Sequence, residues 1–179
     1  MCDKNIKDLK VLFSEKEIQN RTQELATKIN QDFGSTEDLI LICVLKGSSM
    51  FFCDLSKHLQ MPLKMEFIRV SSYGNKKTSS GNVQALDLTL PNLENKNVLI
   101  VEDIIDTGNT MQFLIDVLCR THKPKSLKLI TLLNKKCARK VNLDPDYYGF
   151  EIDNKFVVGY GLDYEGYMRN LPYIGYFEV

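Results

Sequence analysis

The stretch VLIVEDIIDTGNTM, residues 98–111, constrains the fold of this chain more than any other part of the sequence. Residues 98–101 are a continuous apolar run, which predicts a short strand buried on both faces of a sheet. The acids Glu102 and Asp103 follow, and the Thr-Gly-Asn-Thr at residues 107–110 predicts a tight turn that begins a helix. A buried strand that leads into a helix through a tight turn is typical of α/β proteins with a parallel sheet.

Other segments repeat this alternation of strands and helices. Ser14 and Glu17 have the spacing of a capping box at the start of an amphipathic helix. Further strands are predicted at residues 39–45, 63–67, 83–90 and 127–133, and further helices after residues 49 and 110. We therefore expect an α/β fold whose mainly parallel central sheet is flanked by helices.

Length, charge and cysteine content exclude several classes of protein. The chain has 179 residues, of which 44% are hydrophobic. This length is sufficient for one domain with its own core and is short for two domains. Lys and Arg together number 23, as do Asp and Glu, so no basic field attracts nucleic acid. The longest apolar run, residues 39–45, is far shorter than the roughly 20 residues that span a bilayer. Five cysteines without paired spacing argue against a disulfide framework or a zinc site. We expect a cytoplasmic protein without nucleic-acid or membrane partners.

The turn at residues 107–110 has the properties of an anion site. The first N–H groups of a helix lack partners, and the helix dipole adds roughly half a positive charge there. Gly108 lets the backbone approach a ligand closely, and the hydroxyls of Thr107 and Thr110 add donors. An Asp-Thr-Gly turn alone is often an ordinary turn, but strand, acids and turn together favour a phosphate site.

The acids before the turn need a partner if phosphate binds there. Two carboxylates about 4 Å from a phosphate are repelled by several kcal/mol at an effective dielectric near 20. Glu102 and Asp103 therefore predict either a hard cation such as Mg2+ or a sugar diol. Asp106 is a third acid, placed to accept a proton. The Gly-Lys-Ser/Thr of a Walker loop and the spacing of a dinucleotide fingerprint are both missing from this motif.

Two other segments have unusual composition. Residues 147–177 interleave aromatic residues with glycines without helical periodicity, which predicts irregular structure over one end of the sheet. Most of these rings are expected to pack in the core, and an exposed one could stack on a flat heterocycle. Residues 71–82 are rich in Ser, Gly, Asn, Lys and Thr, and are long enough to be either a functional lid or an ordinary hairpin connection.

Along nearly its whole length the chain resembles the hypoxanthine-guanine phosphoribosyltransferase family. Residues 98–111 are similar to that family's phosphoribosyl pyrophosphate motif, and LKGS from Leu45 is similar to its pyrophosphate loop. SSYGN from Ser71 opens a segment similar to its mobile catalytic loop, and KFVVGYGLDYEGYMRNLPYIG from Lys155 is similar to its purine-binding tail. The resemblance implies the type I phosphoribosyltransferase fold in a single domain, residues 1–179. A small aromatic-rich hood would come from the N-terminal arm and residues of about 135–179.

The resemblance also implies a reaction. Such a transferase, a glycosyltransferase of purine salvage, makes IMP or GMP from phosphoribosyl pyrophosphate and hypoxanthine or guanine, and releases pyrophosphate. Its partners would be these small molecules and Mg2+, and the protein would be a homodimer or homotetramer. Relatives that act on adenine have a small uncharged residue where this chain has Asp106, so Asp106 together with Lys135 favours a 6-oxopurine.

Site residues follow from the same resemblance. Catalytic roles fall to Asp106, Glu102 and Asp103, and metal binding to Glu102, Asp103 and Asp163. Substrate binding falls to Lys46, Gly47, Ser72, Tyr73, Asp106, Thr107, Gly108, Asn109, Thr110, Lys135, Phe156, Val157, Asp163 and Arg169. In the family, residues 107–110 hold the ribose phosphate, Lys46, Gly47 and Arg169 contact pyrophosphate, and the Leu45–Lys46 peptide bond can be cis. Lys135 would contact the 6-oxo group, Phe156 would stack on the purine, and Val157 would meet the base edge through its backbone.

Some alternatives stay open on the sequence. The segment after Lys135 departs from the commonest family pattern, so Lys136 and Arg139 receive no role. Without the resemblance, Phe156 and Val157 would be interpreted as strand core. A regulator that senses phosphoribosyl pyrophosphate while binding nucleic acid or protein is the main alternative function, and an enzyme acting on xanthine is another.

Overall fold

The computed structural model describes residues 8–34, 38–71, 84–87 and 90–178. Its strands are β1 (Leu9–Phe13), β2 (Leu39–Leu45), β3 (Leu63–Ser71), β4 (Gln84–Asp87), β5 (Asn97–Ile105), β6 (Ser126–Asn134), β7 (Tyr147–Glu151), β8 (Val157–Val158) and β9 (Ile174–Phe177). Its helices are α1 (Glu15–Phe33), α2 (Ser49–Ser56) and α3 (Asn109–His122), with a 3-10 helix at Lys136–Ala138. Apart from Ser71, the loop expected at residues 71–82 lies outside the described residues, and with it Ser72 and Tyr73.

The larger sheet has the strand order β4-β3-β2-β5-β6-β7, and all neighbours are parallel except β4, which is antiparallel to β3. The mainly parallel sheet is thus confirmed. The chain adds β3 on one side of β2 and later adds β5 and β6 on the other, so the direction of winding reverses between β2 and β5. In open α/β sheets, ligands bind at the carboxyl ends of the strands at such a reversal.

Helices cover both faces of this sheet because the residues of β2 alternate between two cores. Leu39, Leu41 and Cys43 pack in one cluster with apolar residues of α1 and α2. Ile40 and Ile42, with Val44, pack in the other cluster with the apolar face of α3. The Ser14–Glu17 capping box begins α1 as predicted. Within the described residues, no helix combines the length and the apolar character needed to cross a bilayer.

Some predicted strand ends are wrong, and the strand expected at residues 63–67 continues to Ser71. The strand expected at residues 98–101 continues to Ile105, so Glu102 and Asp103 lie within β5 and do not follow it. The reason is tertiary, since parallel pairing with β6 continues as far as Ile105 opposite Asn134. Neighbouring backbone hydrogen bonds here outweigh the low strand propensity of acidic residues.

The chain termini form the expected aromatic-rich hood. It is a small antiparallel sheet in the order β1-β9-β8. The rings of Phe13 and Phe150 stack with centroids 4.0 Å apart and so tie β1 to β7 of the larger sheet. A second contact connects the tail, the segment that begins at Lys155, to α2. Here the Tyr160 hydroxyl donates to Asp54 Oδ2 at 2.7 Å.

Candidate active site

A cavity of about 470 Å³ opens at the carboxyl ends of β2 and β5, where the winding of the sheet reverses. Its walls come from the loop after β2, from the end of β5 with the turn into α3, and from the tail. Many of the predicted site residues line this one space: Lys46, Gly47, Glu102, Asp103, Asp106, Thr107, Gly108, Thr110, Asp163 and Arg169. Three segments that are distant in sequence thus form a single site.

The turn before α3 has the geometry of a phosphate site. Helix α3 begins at Asn109, and Gly108, just before it, has a left-handed backbone with φ of 83°. A Cβ on Gly108 would lie 2.8 Å from both Arg139 Cδ and Val141 Cγ2, so glycine is required by conformation and by space. The first N–H groups of α3 have no acceptor within the helix, which makes the turn a site for an anion.

The acid pair in β5 lies in the floor of the cavity. Burial, with the neighbouring charge of Asp103, raises the pKa of Glu102 well above its ordinary value. Burial also raises the pKa of Asp103, although Ile104 N donates to its Oδ1 at 2.7 Å. Glu102 Oε2 is buried and has no hydrogen-bond partner. An unpartnered buried carboxylate oxygen is costly unless a ligand hydroxyl or a cation completes it.

The tail, the loop after β2 and the Asp103 side chain pack against one another in this order. A Cβ on Gly47 would lie 1.5 Å from Asp103 Oδ2, and a Cβ on Gly161 would lie 1.9 Å from Gly47 O. The Leu45–Lys46 peptide bond is cis, as the resemblance allows. The tail therefore packs directly on the loop after β2, and that loop packs directly on Asp103.

Arg169 is held at the edge of the cavity by the tail itself. Its Nη1 donates to Gly161 O at 2.6 Å, and its Nη2 lies 2.6 Å from Asp163 Oδ1. The other oxygen of Asp163 accepts from Gly166 N at 2.7 Å. The guanidinium is thus fixed where its charge can meet an anionic ligand, while both Asp163 oxygens already have protein partners.

Lys135 lies at the end of β6, next to the turn. Its Nζ is 3.9 Å from Asp106 Oδ1. Only 9% of Lys135 is exposed, whereas the Asp106 side chain is 53% exposed. A buried ammonium thus adjoins a carboxylate that is open to a ligand.

Of the predicted site residues that the structure describes, four do not line the cavity: Asn109, Lys135, Phe156 and Val157. Phe156 is 57% exposed and contacts the edge of the Tyr164 ring, with centroids 5.9 Å apart, so its interpretation as strand core is wrong. Val157 is buried in β8, as the core interpretation expected. An exposed ring beside a buried strand is a surface on which a flat heterocycle could stack.

Two residues that contact this site were not predicted from the sequence. Gly161 presses on the loop after β2, and Arg139 packs against the turn before α3. The signal for Gly161 was its place in a Gly-Tyr-Gly segment, which permits close backbone approach. Arg139 lies in a charged stretch, and nothing in its spacing distinguished it from a surface residue.

Comparison with known proteins agrees with this fold and site. The family model described as phosphoribosyl transferase domain matches residues 11–165, and so defines the class as a phosphoribosyltransferase. A hypoxanthine-guanine phosphoribosyltransferase of Bacillus subtilis is 47% identical over 166 residues, which are 93% of this chain and 91% of the relative.

Solved structures give the same result. A hypoxanthine-guanine phosphoribosyltransferase of Bacillus anthracis, with a HEPES molecule in its active site, is 44% identical with a TM-score of 0.88, over 94% of this chain and 98% of that one. A hypoxanthine phosphoribosyl transferase of Trypanosoma cruzi is 43% identical with a TM-score of 0.90, over 98% and 94%. The chain belongs to the hypoxanthine-guanine phosphoribosyltransferase family and is an enzyme of that class.

Proposed function

We propose that the protein transfers a phosphoribosyl group from phosphoribosyl pyrophosphate to hypoxanthine, guanine or both, in purine salvage. The products are IMP or GMP and pyrophosphate. The observation that carries the choice of base is the pair formed by Lys135 and Asp106, which places a cationic donor beside a carboxylate at the phosphate turn. A 6-oxopurine offers the matching groups, an acceptor oxygen and a ring N–H.

The ribose phosphate is assigned to residues 107–110, whose first helical N–H groups lack internal partners. Glu102 and Asp103 face the ribose hydroxyls, and the unpartnered Glu102 Oε2 is an acceptor for one of them. Lys46, Gly47 and Arg169, which line the same cavity, bind the pyrophosphate. The sugar is then held between the two phosphate-binding groups of residues.

The chemistry then needs one proton to move. A purine ring nitrogen attacks the sugar carbon, the bond to pyrophosphate breaks, and the sugar acquires oxocarbenium character in the transition state. The purine loses its proton to Asp106, whose exposed carboxylate is the acceptor in this assignment. Lys135 donates to the 6-oxo oxygen and so stabilises the negative charge that forms on the base.

The donor set also fits Mg2+, which would neutralise the charge of the departing pyrophosphate. Glu102 and Asp103 are hard oxygen donors, and one of their oxygens has no partner. The described residues contain no group of three or more His, Cys, Asp or Glu able to hold a metal. We therefore assign Mg2+ to these two carboxylates with substrate oxygens and water completing its shell. Asp163 would have to give up Arg169 to join them.

We also propose a homodimer or homotetramer. Met65 and Phe67 lie on the same face of β3 and are 43% and 47% exposed, which is unusual for neighbouring large apolar side chains. If β3 packs against a second copy, Phe67→Lys will lower the mass measured by sedimentation. A cytoplasmic location fits the free thiols of Cys43, Cys53, Cys119 and Cys137.

The decisive experiment is a panel assay of the purified protein with phosphoribosyl pyrophosphate, Mg2+ and each of adenine, hypoxanthine, guanine and xanthine. We expect turnover with hypoxanthine or guanine and release of pyrophosphate. Turnover of adenine alone would overturn the role given to Asp106 and Lys135. Turnover restricted to xanthine would keep the mechanism and change the substrate.

A further inference from the structure

Arg139 makes an unusual set of contacts for a residue outside the assigned site. Its Nε donates to Asp106 O at 3.2 Å, and its Nη2 reaches Ile105 O at 3.4 Å and Asn134 Oδ1 at 2.7 Å. Its Nη1 donates to Leu143 O. One guanidinium thus joins the carboxyl ends of β5 and β6 to residues 139–143, a segment that we call the brace.

The brace also holds the turn through its backbone. Lys140 N donates to Thr107 O at 2.9 Å, so the carbonyl oxygens of residues 105, 106 and 107 all accept from the brace. In a trans peptide unit, a carbonyl and the N–H of the next residue point in opposite directions. Fixing the carbonyls of Asp106 and Thr107 therefore directs the N–H groups of Thr107 and Gly108 away from the brace, where they can meet a phosphate.

The same contacts also fix the relative positions of Asp106 and Lys135, the two residues assigned to contact the purine. Ile105 O accepts from Lys135 N at 3.1 Å as well as from Arg139. Gly108 lies directly against the brace, since a Cβ there would meet Arg139 Cδ and Val141 Cγ2. A shift of Arg139 would consequently move the turn, Asp106 and Lys135 relative to one another.

We propose that Arg139 is a positioning residue that fixes the phosphate turn and, through it, the affinity for the ribose-phosphate part of the substrate. Arginine is needed because its planar fork of five donors can serve several carbonyls at fixed angles, which a lysine ammonium on a flexible stem cannot do. This inference rests on the proposed function, because it takes residues 107–110 as the ribose-phosphate site.

The test compares Arg139→Met and Arg139→Lys with the wild type, using ribose 5-phosphate and pyrophosphate as separate probes in calorimetric titrations. Arg120→Met is the matched control, because Arg120 is exposed on α3 and its Nε donates to Asp116 O of the same helix. We expect Arg139→Met to weaken ribose 5-phosphate binding about 10- to 100-fold, the loss that a displacement of about 1 Å can cause. Pyrophosphate binding should change less than about twofold, and Arg139→Lys should restore part of the loss.

The possible results test the positioning role of Arg139 separately from the proposed transferase function. A purely structural role would lower the unfolding temperature and leave the ratio of the two affinities unchanged, which overturns the positioning role. If Arg139→Met does not fold, an unchanged ratio in Arg139→Lys overturns it equally. Failure of the wild type to bind ribose 5-phosphate would overturn the assignment of the phosphate turn, and with it this inference, whereas the panel assay with phosphoribosyl pyrophosphate tests the proposed function separately.

Discussion

The ammonium of Lys135 lies 3.9 Å from Asp106 Oδ1, although one residue follows β6 and the other follows β5. Adjacent parallel strands end at the same edge of the sheet, and this brings the two side chains together. The pair is asymmetric, because Lys135 is nearly buried and Asp106 is half exposed. A fixed donor and an accessible acceptor thus lie side by side.

Asp106→Asn should lower kcat with hypoxanthine by about 100- to 10,000-fold, the usual loss when a general base is removed. Ribose 5-phosphate should bind nearly as well as to the wild type, because the turn at residues 107–110 is unchanged. Steady-state kinetics and calorimetry measure the two effects. Asp116→Asn on α3 is the control, since Asp116 is exposed and its Oδ1 accepts from Gln112 Nε2 of the same helix. Wild-type turnover in Asp106→Asn would remove the base assignment.

Lys135→Met should lower kcat/KM for hypoxanthine by about 10- to 100-fold, because a hydrogen bond from a charged donor contributes about 1.5–3 kcal/mol. Methionine keeps the aliphatic stem, so the loss reports the ammonium. Lys136→Met is the matched control, because the neighbouring Lys136 pairs with Glu151 at 3.3 Å on the surface. Equal effects of the two substitutions would contradict a specific contact between Lys135 and the base.

Gly47→Ala should abolish most activity, because its Cβ would collide with Asp103 Oδ2 in the floor of the cavity. We expect kcat/KM to fall by at least about 100-fold, as displacement of the acid pair misplaces the sugar. Gly34→Ala provides the contrast, since Gly34 has φ of 52° and open space around it. That change should lower stability by about 1 to 3 kcal/mol through backbone strain and leave KM unchanged. A changed KM in Gly34→Ala, or an unchanged kcat/KM in Gly47→Ala, would contradict this distinction.

The hydrogen bond between Tyr160 and Asp54 should make stability depend on pH. Burial alone would raise the pKa of Asp54, but hydrogen bonds from Lys57 and Tyr160 outweigh it and lower the pKa. A lowered pKa stabilises the fold above the unfolded value of about 3.9, and this contribution is lost as the pH falls through the folded pKa. The difference in unfolding temperature between wild type and Asp54→Asn should therefore be largest above about pH 5 and shrink as the pH falls below about 4. Tyr160→Phe should show the same trend more weakly. A difference in unfolding temperature that does not depend on pH would argue against this role of the Asp54 carboxylate.

The sequence predicted those parts of the site that local patterns encode. The strand at residues 39–45 coincides with β2, and the Thr-Gly turn begins α3 where expected. The extension of β5 through the acids was not predictable, because it depends on pairing with β6. The layered contact of Gly161, Gly47 and Asp103 was also hidden, since it joins three segments that only the topology brings together.

The place of β5 beside β2 also has a consequence for how the site forms. Leu39 pairs with Asn97, so β2 and β5 come together only when the chain between them is closed into a loop. The cavity walls at the ends of these two strands therefore form only after that closure. A fragment that stops before β5 lacks one wall altogether. Because ligand binds only when both walls are present, saturating substrate should raise the denaturation midpoint of the whole sheet by mass action. A single unfolding experiment with and without substrate then reports both ligand binding and the cooperativity of unfolding in this enzyme.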